Sequence, residues 1–473
     1  MGYPQVSAAI EQSCAIIFPV ETDRAAYMLA TPEQLEETAQ PQRLAEVLPR
    51  CLREVPLYQH AAVEALTVEP ASALACLRRL PLIGKQDIRR DFPRNFLGVD
   101  ADLDRLLADD VLELEHTSGT SEGRMPLLLP RGWWAEQESR ALRLNPVAAE
   151  VLASEPDARR VTINSPVCSG DICYTGNPSR DERILGASLF LSLSRYPFLW
   201  TDSELARMTA EALDWQPRFL DVDPVYGVVF ARYCERHGVR LPSLRFVLSS
   251  YEYLSVAHRR ILERAFGVPV VDLYGSTETG HLLIQDLDGQ MRPSLQTALL
   301  EALHPDAQGI SDLVVTTLTN PFMPLLRYRI GDLVERHEHP YATRYVVHGR
   351  AADAFQAPSG RRVTTRHADQ CFAGLDGFAH YQLIEQADTG WRLRFVPERG
   401  GPDEATRLEL DQRLTELLEM ESPLAWQPTD MLVPETSGKF KLGYPARIRP
   451  APIDPRRIPF RESAGVCRSE RGG

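Results

Sequence analysis

From about Val111 onward, short apolar runs alternate with stretches of helical period, and this alternation restricts the chain to an α/β sheet whose strands are covered by helices. The apolar runs are residues 161–163, 246–248 and 268–273; helical patterns cover 203–213, with Ser203 as the cap, and 256–266. Ahead of them Leu44, Leu48, Leu52 and Val55 recur at helical spacing, with Pro49 expected to kink or restart that helix. After His348 the texture changes. Residues 381–385 and 391–396 flank Ala-Asp-Thr-Gly as a hairpin, and Leu410, Leu414, Leu417 and Leu418 form the apolar stripe of a helix over about 403–420. A chain of 473 residues exceeds one ordinary core. The expected architecture is therefore α/β. A large N-terminal domain of layered sheets and helices (1–348) precedes a small mobile α+β C-terminal domain (349–450) and a Pro- and Arg-rich tail (451–473).

The formal net charge of -13 disfavours nucleic acid and anionic membranes as partners, because both are held by clustered Lys and Arg. No apolar run reaches the roughly 20 residues that span a bilayer. The apolar stretch 14–20 lies between Glu11 and Glu21, and the chain reads as cytoplasmic. Its 8 cysteines are scattered singly, without the paired spacings of a structural zinc site, so reduced thiols are expected.

Two segments carry chemistry. Residues 115–123, Glu-His-Thr-Ser-Gly-Thr-Ser-Glu-Gly, offer the hydroxyls of Thr117, Ser118, Thr120 and Ser121 to phosphate oxygens, while Gly119 lets the backbone approach an anion. Residues 272–280, Asp-Leu-Tyr-Gly-Ser-Thr-Glu-Thr-Gly, begin where a β-rich run ends, the place where open α/β sheets bind ligands. There Tyr274 can stack on a base, Thr277 can touch a phosphate, and Glu278 can hold magnesium through oxygen. Each run taken alone is equally readable as a plain loop.

Three further segments follow in order: Arg-Tyr-Arg-Ile-Gly-Asp (327–332), Gly-Arg-Ala-Ala-Asp (349–353) and Glu-Thr-Ser-Gly-Lys-Phe-Lys (435–441). With these the sequence resembles the adenylate-forming superfamily of acyl-coenzyme A synthetases, peptide-synthetase adenylation domains and luciferases. Val-Pro-Leu-Tyr (55–58) and the segment from Leu80 to Lys85 look most like its phenylacetate-coenzyme A ligase group. The resemblance implies ATP and magnesium as cofactors, a small, aromatic carboxylic acid as substrate, and coenzyme A, a carrier protein or an amine as acceptor. It also implies roles. Asp332 would accept both ribose hydroxyls; Arg350 would reach ribose or phosphate; Gly275 would lie with Tyr274 along the nucleotide; and Lys439 would bridge the carboxylate and the α-phosphate. Residues 249–253, Ser-Ser-Tyr-Glu-Tyr, stand where the group turns against adenine, which makes Glu252 a nucleotide residue and Tyr251 a pocket residue. Residues 164–176 would shape the acid pocket with Tyr174 as a wall, and His281 would join it.

The sequence departs from that pattern at Glu122, Arg124 and Met125, where the superfamily has glycine, proline and lysine, and at Ala352, which precedes Asp353 where two acidic residues are usual. These departures leave a second reading open, a non-catalytic descendant that binds a nucleotide or acid. His116 suits a structural hydrogen bond better than catalysis, and His337 and His339 suit a polar hairpin tip better than a metal. Trp133 and Trp134 suit burial as well as an entrance.

Overall fold

The computed structural model describes residues 32–59, 69–98, 101–117, 124–166, 172, 178–338, 343–386, 390–435 and 438–446. By compactness the chain forms two units, 1–144 with 275–346 and 145–274 with 347–473.

The first unit opens with α1 (Pro32–Glu54), which runs unbroken through Pro41 and Pro49. Tertiary bonds hold it where the prolines remove their own: Gln40 Nε2 donates to Ala298 O at 3.0 Å, and Arg50 Nη2 to Pro321 O at 2.7 Å. The restart expected at Pro49 is therefore absent, while Leu44, Leu48 and Val55 are buried as the spacing requires; Leu52 is only half-buried, and Cys51 is buried beside it. Strands β1 (Leu112–His116) and β2 (Pro126–Pro130) form an antiparallel hairpin, followed by α2 (Trp133–Leu142).

In the second unit a helix over Pro146–Ser154 leads to β3 (Arg160–Ile163) and β4 (Ser188–Phe190). Then come α3 (Asp202–Trp215), β5 (Phe219–Val222), α4 (Pro224–Arg236), β6 (Phe246–Ser249), α5 (Val256–Phe266) and β7 (Val270–Ser276). The strands lie in the order β7-β6-β5-β3-β4 and pair in parallel. Every residue of β5 and β6 is buried, which is why 246–248 reads as a run and not as alternation, while β5, interrupted by Asp221, is not among the runs the sequence suggests. The cap of α3 is Thr201, not Ser203, because Thr201 and Glu204 exchange the two bonds of a capping box. Helix α5 begins and ends where its period predicts, with Ser255 accepting from His258 N.

The chain returns to the first unit for β8 (Gly280–Gln285), β9 (Met291–Pro293), β10 (Ala298–Leu303), β11 (Ile310–Thr317), β12 (Tyr328–His337) and β13 (Arg344–Arg350). Their order is β10-β11-β12-β13-β9-β8. The second unit is completed by α6 (Thr365–Gln370), β14 (Phe378–Glu385), β15 (Trp391–Pro397), α7 (Glu404–Leu418), β16 (Ala425–Pro428) and β17 (Gly443–Tyr444). Strands β14 and β15 are the expected hairpin, and Leu410, Leu414 and Leu418 of α7 bury against Phe355, Phe372, Phe378 and Trp391. This α+β module has a core of its own.

Within the second unit the module is fastened to α5 by buried polar groups. Asp369 of α6 accepts from Val256 N at 3.1 Å and from the Tyr381 hydroxyl at 2.6 Å, and Glu398 pairs with Arg260 at 3.0 Å and with Arg264. His258 Nε2 and His380 Nδ1 lie 3.0 Å apart, and burial holds His258 down at about 3, so this pair is neutral. Among the described residues no helix is long and apolar enough to cross a membrane.

Candidate functional site

The two hairpin strands β1 and β2 end at the hydroxyl-rich segment. Thr117 is buried and closes the hairpin: its N–H donates to Met125 O, and its Oγ1 accepts from Met125 N, both at 3.0 Å. Its side chain thus shapes the base of the loop, a role the sequence did not reveal. Ser118, Gly119, Thr120, Ser121 and Glu122 lie outside the described residues, as does Tyr174.

In the first unit, the segment after β7 folds back tightly into β8. Ser276 Oγ and Thr279 Oγ1 lie 2.9 Å apart, and a side chain at Gly275 would bring a Cβ within 2.3 Å of Gly280 O. Only glycine allows that approach. Between them Thr277 is half-buried and Glu278 is buried, with the Tyr328 hydroxyl donating to Glu278 Oε1 at 3.0 Å. Tyr328 opens β12, and four residues on, the strand bulges against β11, so that residues 330–332 oppose Leu313 alone. Gly331, at φ +93, supplies the turn of the chain, and Asp332 is buried in the bulge. Bulges re-aim side chains beside functional sites, and this one sets the direction of Asp332. One strand therefore both anchors Glu278 and carries Asp332.

Among the described residues no group of three or more His, Cys, Asp or Glu could enclose a metal. A lone buried carboxylate with one oxygen fixed by Tyr328 nevertheless fits magnesium, which takes most of its ligands from phosphate and water. His281 on β8 is buried against Trp134, ring centroids 4.4 Å apart, and Trp133 is buried with Nε1 donating to Thr319 Oγ1 at 3.0 Å.

In the second unit, the carboxyl ends of the parallel strands collect acidic groups. Asp221 and Asp223, two residues apart and both buried, were not among the residues marked in the sequence; carboxylates beside the apolar residues Phe219, Leu220 and Val222 are the signal that could have found them. Asp223 caps α4, its Oδ1 accepting from Val225 N at 2.9 Å and Tyr226 N at 3.5 Å. Asp221 binds the turn after β6: Oδ1 accepts from Ser250 Oγ at 3.0 Å, and Oδ2 from the Tyr251 hydroxyl at 2.9 Å. Tyr251 stands at φ +74, and Glu252 N donates to Ser250 O at 2.9 Å, so the three residues make a γ-turn. Such a conformation at a non-glycine residue costs about 1 to 3 kcal/mol and persists only where its surroundings over-determine it.

The lysine segment meets this turn. Glu435 N donates to Lys439 O and Gly438 N to Glu435 O, each at 2.8 Å, which closes a tight loop with Gly438 at φ +85. Thr436 and Ser437 lie outside the described residues. Phe440 N donates to Glu252 Oε1 at 2.8 Å, and the Phe440 ring packs edge-on to His380 at 5.5 Å and to Tyr226 at 6.2 Å. Burial pushes the Asp223 carboxyl up to about 7 against the opposing charge of Lys439. Burial and the neighbouring Asp223 charge hold Glu252 well above the usual carboxylate range. Lys441 pairs with Asp353 at 3.1 Å, so the one acid retained at the hinge is tied to the lysine loop. Arg350, half-buried, ends β13, and Tyr274 is half-buried near the end of β7.

No protein-family model matches the chain. Phenylacetate-coenzyme A ligase of Pseudomonas putida is 25% identical over 340 residues, which are 67% of this chain and 69% of that protein. The enzyme of the same name from Escherichia coli (strain K12) is 26% identical over 343 residues, 67% and 68% of the two chains. The crystal structure of 2-hydroxyisobutyryl-CoA ligase in the postadenylation state, in complex with R3-HIB-AMP, shares the fold. It matches with a TM-score of 0.62 at 15% identity, over 88% of this chain and 90% of that one.

The chain is thus similar in sequence, over about two thirds of its length, to two phenylacetate-coenzyme A ligases, which belong to the adenylate-forming superfamily. Of the residues marked in its sequence, Thr117, Gly275, Thr277, Glu278, His281 and Asp332 fall in the first unit, and Tyr251, Glu252, Tyr274, Arg350 and Lys439 in the second. Glu252 and Lys439 are brought together. Tyr251 is engaged by Asp221, a residue outside the superfamily motifs quoted above.

Proposed function

We propose that this chain uses ATP to convert a small, aromatic carboxylic acid to its acyl adenylate and then passes the acyl group to coenzyme A. The observation that carries the reading is the docking of the Lys439 loop on Glu252, at the carboxyl ends of the parallel strands, the edge where open α/β sheets hold their ligands. The names of the two relatives, both phenylacetate-coenzyme A ligases, support an aromatic acid and a thiol acceptor.

In the first half-reaction a carboxylate oxygen attacks the α-phosphorus in line and pyrophosphate leaves. Two anions must meet, so catalysis is charge neutralisation and positioning. The Lys439 ammonium offers hydrogen bonds to oxygens of both partners. Magnesium, when bound at Glu278, would supply positive charge to the phosphate oxygens. Asp332 accepts the ribose hydroxyls, Arg350 reaches ribose or phosphate, Tyr274 stacks on the base with Gly275 beside it, and Thr117 and Thr277 approach the phosphates with Ser118, Gly119, Thr120 and Ser121. His281 beside Trp134, together with Tyr174, borders the acid. In the second half-reaction the thiol sulfur attacks the acyl carbon, its proton is lost, and AMP leaves with the bonding pair. The module at 349–450 turns between the two steps, excluding water in the first and admitting the thiol in the second.

The test is ATP–pyrophosphate exchange over benzoate-like, phenylacetate-like and amino acids, followed by coenzyme A, a carrier protein and amines as acceptors for the best acid. Exchange confined to aromatic acids and product formed with coenzyme A support the reading. Nucleotide binding without exchange for any acid would replace it with that of a non-catalytic binding protein.

A further inference from the structure

The turn after β6 is more elaborate than packing alone requires. A tyrosine occupies the left-handed region at Tyr251, φ +74, and one buried carboxylate, Asp221, braces it from both sides through Ser250 Oγ and the Tyr251 hydroxyl. The residue that this geometry aims is Glu252. Its Oε1 accepts from Phe440 N at 2.8 Å, and its Oε2 is buried without a hydrogen-bond partner among the described residues. The Phe440 ring is fixed by Tyr226 and His380. Lys439 is thus flanked by a glycine in a closed loop, Gly438, and by a phenylalanine held at both its ring and its N–H.

We propose that Glu252 is a positioning residue for Lys439: the γ-turn braced by Asp221 presents the Glu252 carboxyl to the N–H of Phe440 and fixes the lysine loop against the carboxyl ends of β5 and β6. The proposal reassigns Glu252 from the nucleotide to the lysine loop and Tyr251 from the acid pocket to the brace. What the N–H needs is an acceptor at the right distance, which a carboxylic acid, a carboxylate or a carboxamide supplies equally well in geometry. Positioning of this kind acts on the transition state through the lysine and leaves ground-state nucleotide affinity alone.

The inference rests on the ATP-dependent activation proposed above, and the experiment separates the two. Glu252→Ala removes the acceptor, Glu252→Asp withdraws it by one methylene, and Glu252→Gln keeps it. In the substrate-free full chain, amide hydrogen exchange at Phe440 should quicken about tenfold or more in Glu252→Ala and Glu252→Asp, and stay near the parent value in Glu252→Gln. In pyrophosphate exchange the same two variants should lose about tenfold or more in kcat with the KM for ATP nearly unchanged, and Glu252→Gln should recover most of the rate. Unchanged protection of Phe440 in both Glu252→Ala and Glu252→Asp overturns the docking. A raised KM for ATP with kcat retained makes Glu252 a nucleotide ligand and overturns the positioning role, as does a Glu252→Gln variant as slow as Glu252→Ala. If the parent chain shows no acid-dependent exchange, the reaction reading fails, and the protection of Phe440 still decides whether Glu252 holds the loop.

Discussion

Replacing Asp223 by Asn should make the protein more stable at pH 8 and less sensitive to pH. In the folded chain burial pushes this carboxyl up to about 7, whereas an unfolded aspartate titrates near 3.8. Between those values the folded state binds the proton and the unfolded state does not, so stability falls as pH rises through the window. A displacement of that size corresponds to about 4 kcal/mol in all, of which roughly 3 kcal/mol accrues between pH 5 and pH 8. Asparagine removes the charge and keeps the helix cap, because the bonds from Val225 N and Tyr226 N both go to Oδ1, an atom that asparagine retains. Glu252, relieved of the neighbouring charge that raises it, ionises at lower pH, which lessens its own cost at pH 8 and adds to the gain. The net expectation is an advantage for Asp223→Asn that grows by about 3 kcal/mol or more from pH 5 to pH 8. Asp272 and Asp369, both raised to about 6 by burial, slope in the same direction in both proteins and cancel in the difference. Urea unfolding of parent and variant at the two pH values, with amide protection in α4 as a local readout, measures it. Parallel pH profiles, or a variant less stable than the parent at pH 8, would refute the account of a buried, costly charge.

Asp332→Ala should weaken ATP by about 2 to 4 kcal/mol, since two ribose hydroxyls lose a charged acceptor in a buried bulge; calorimetry on the folded variant checks this. Glu278→Gln should raise the magnesium concentration needed for half-maximal exchange, while Tyr328→Phe, which removes only the anchor on Oε1, should give a smaller shift in the same direction. Lys439→Ala should lower adenylate formation by about two orders of magnitude with little change in ATP affinity, and should leave acyl transfer from a presynthesised adenylate intact. Equal losses in both half-reactions would argue against a module that turns between them.

What the sequence disclosed and what it hid divide along the range of the interactions involved. Helix α5 and strands β3 and β6 were legible because period and burial are properties of neighbouring residues, and the capping serine Ser255 lies beside the helix it starts. The cap of α3 was misjudged by two residues because Ser203 and Thr201 are both good caps, and the choice turned on Glu204 reaching back to Thr201 N at 2.8 Å. Helix α1 ran through its prolines because partners more than 250 residues away hold it, which no local pattern can announce. The site divides in the same way. Glu278, Asp332 and Lys439 stood out as members of short motifs, whereas Tyr328 as the anchor of Glu278 and Asp221 as the brace of Tyr251 depend on chain segments that meet only after folding.

The departures from the superfamily pattern take on a different meaning once the contacts of the second unit are counted together. The hinge keeps one acid, Asp353, and that acid binds Lys441; the turn facing the lysine loop keeps one acid, Glu252, and that acid binds Phe440 N. Both residues on the C-terminal side of Lys439 are thus held by carboxylates from segments whose sequences look irregular. A chain that had merely lost catalysis would have no reason to retain a left-handed tyrosine at φ +74 whose strain serves to point Glu252 at that loop. Strain of this kind is stable only while Asp221 and Ser250 compensate it, and those partners lie at the carboxyl ends of β5 and β6, where ligands of open α/β sheets bind. The irregular turn is therefore better read as an altered way of seating the lysine than as the decay of an older one. That reading ties the fate of Glu252 to that of Lys439: in a Lys439→Ala background, Glu252→Ala should add little further loss of adenylation, because a docking residue has nothing left to dock. Independent, additive losses from the two substitutions would separate them and return Glu252 to the nucleotide.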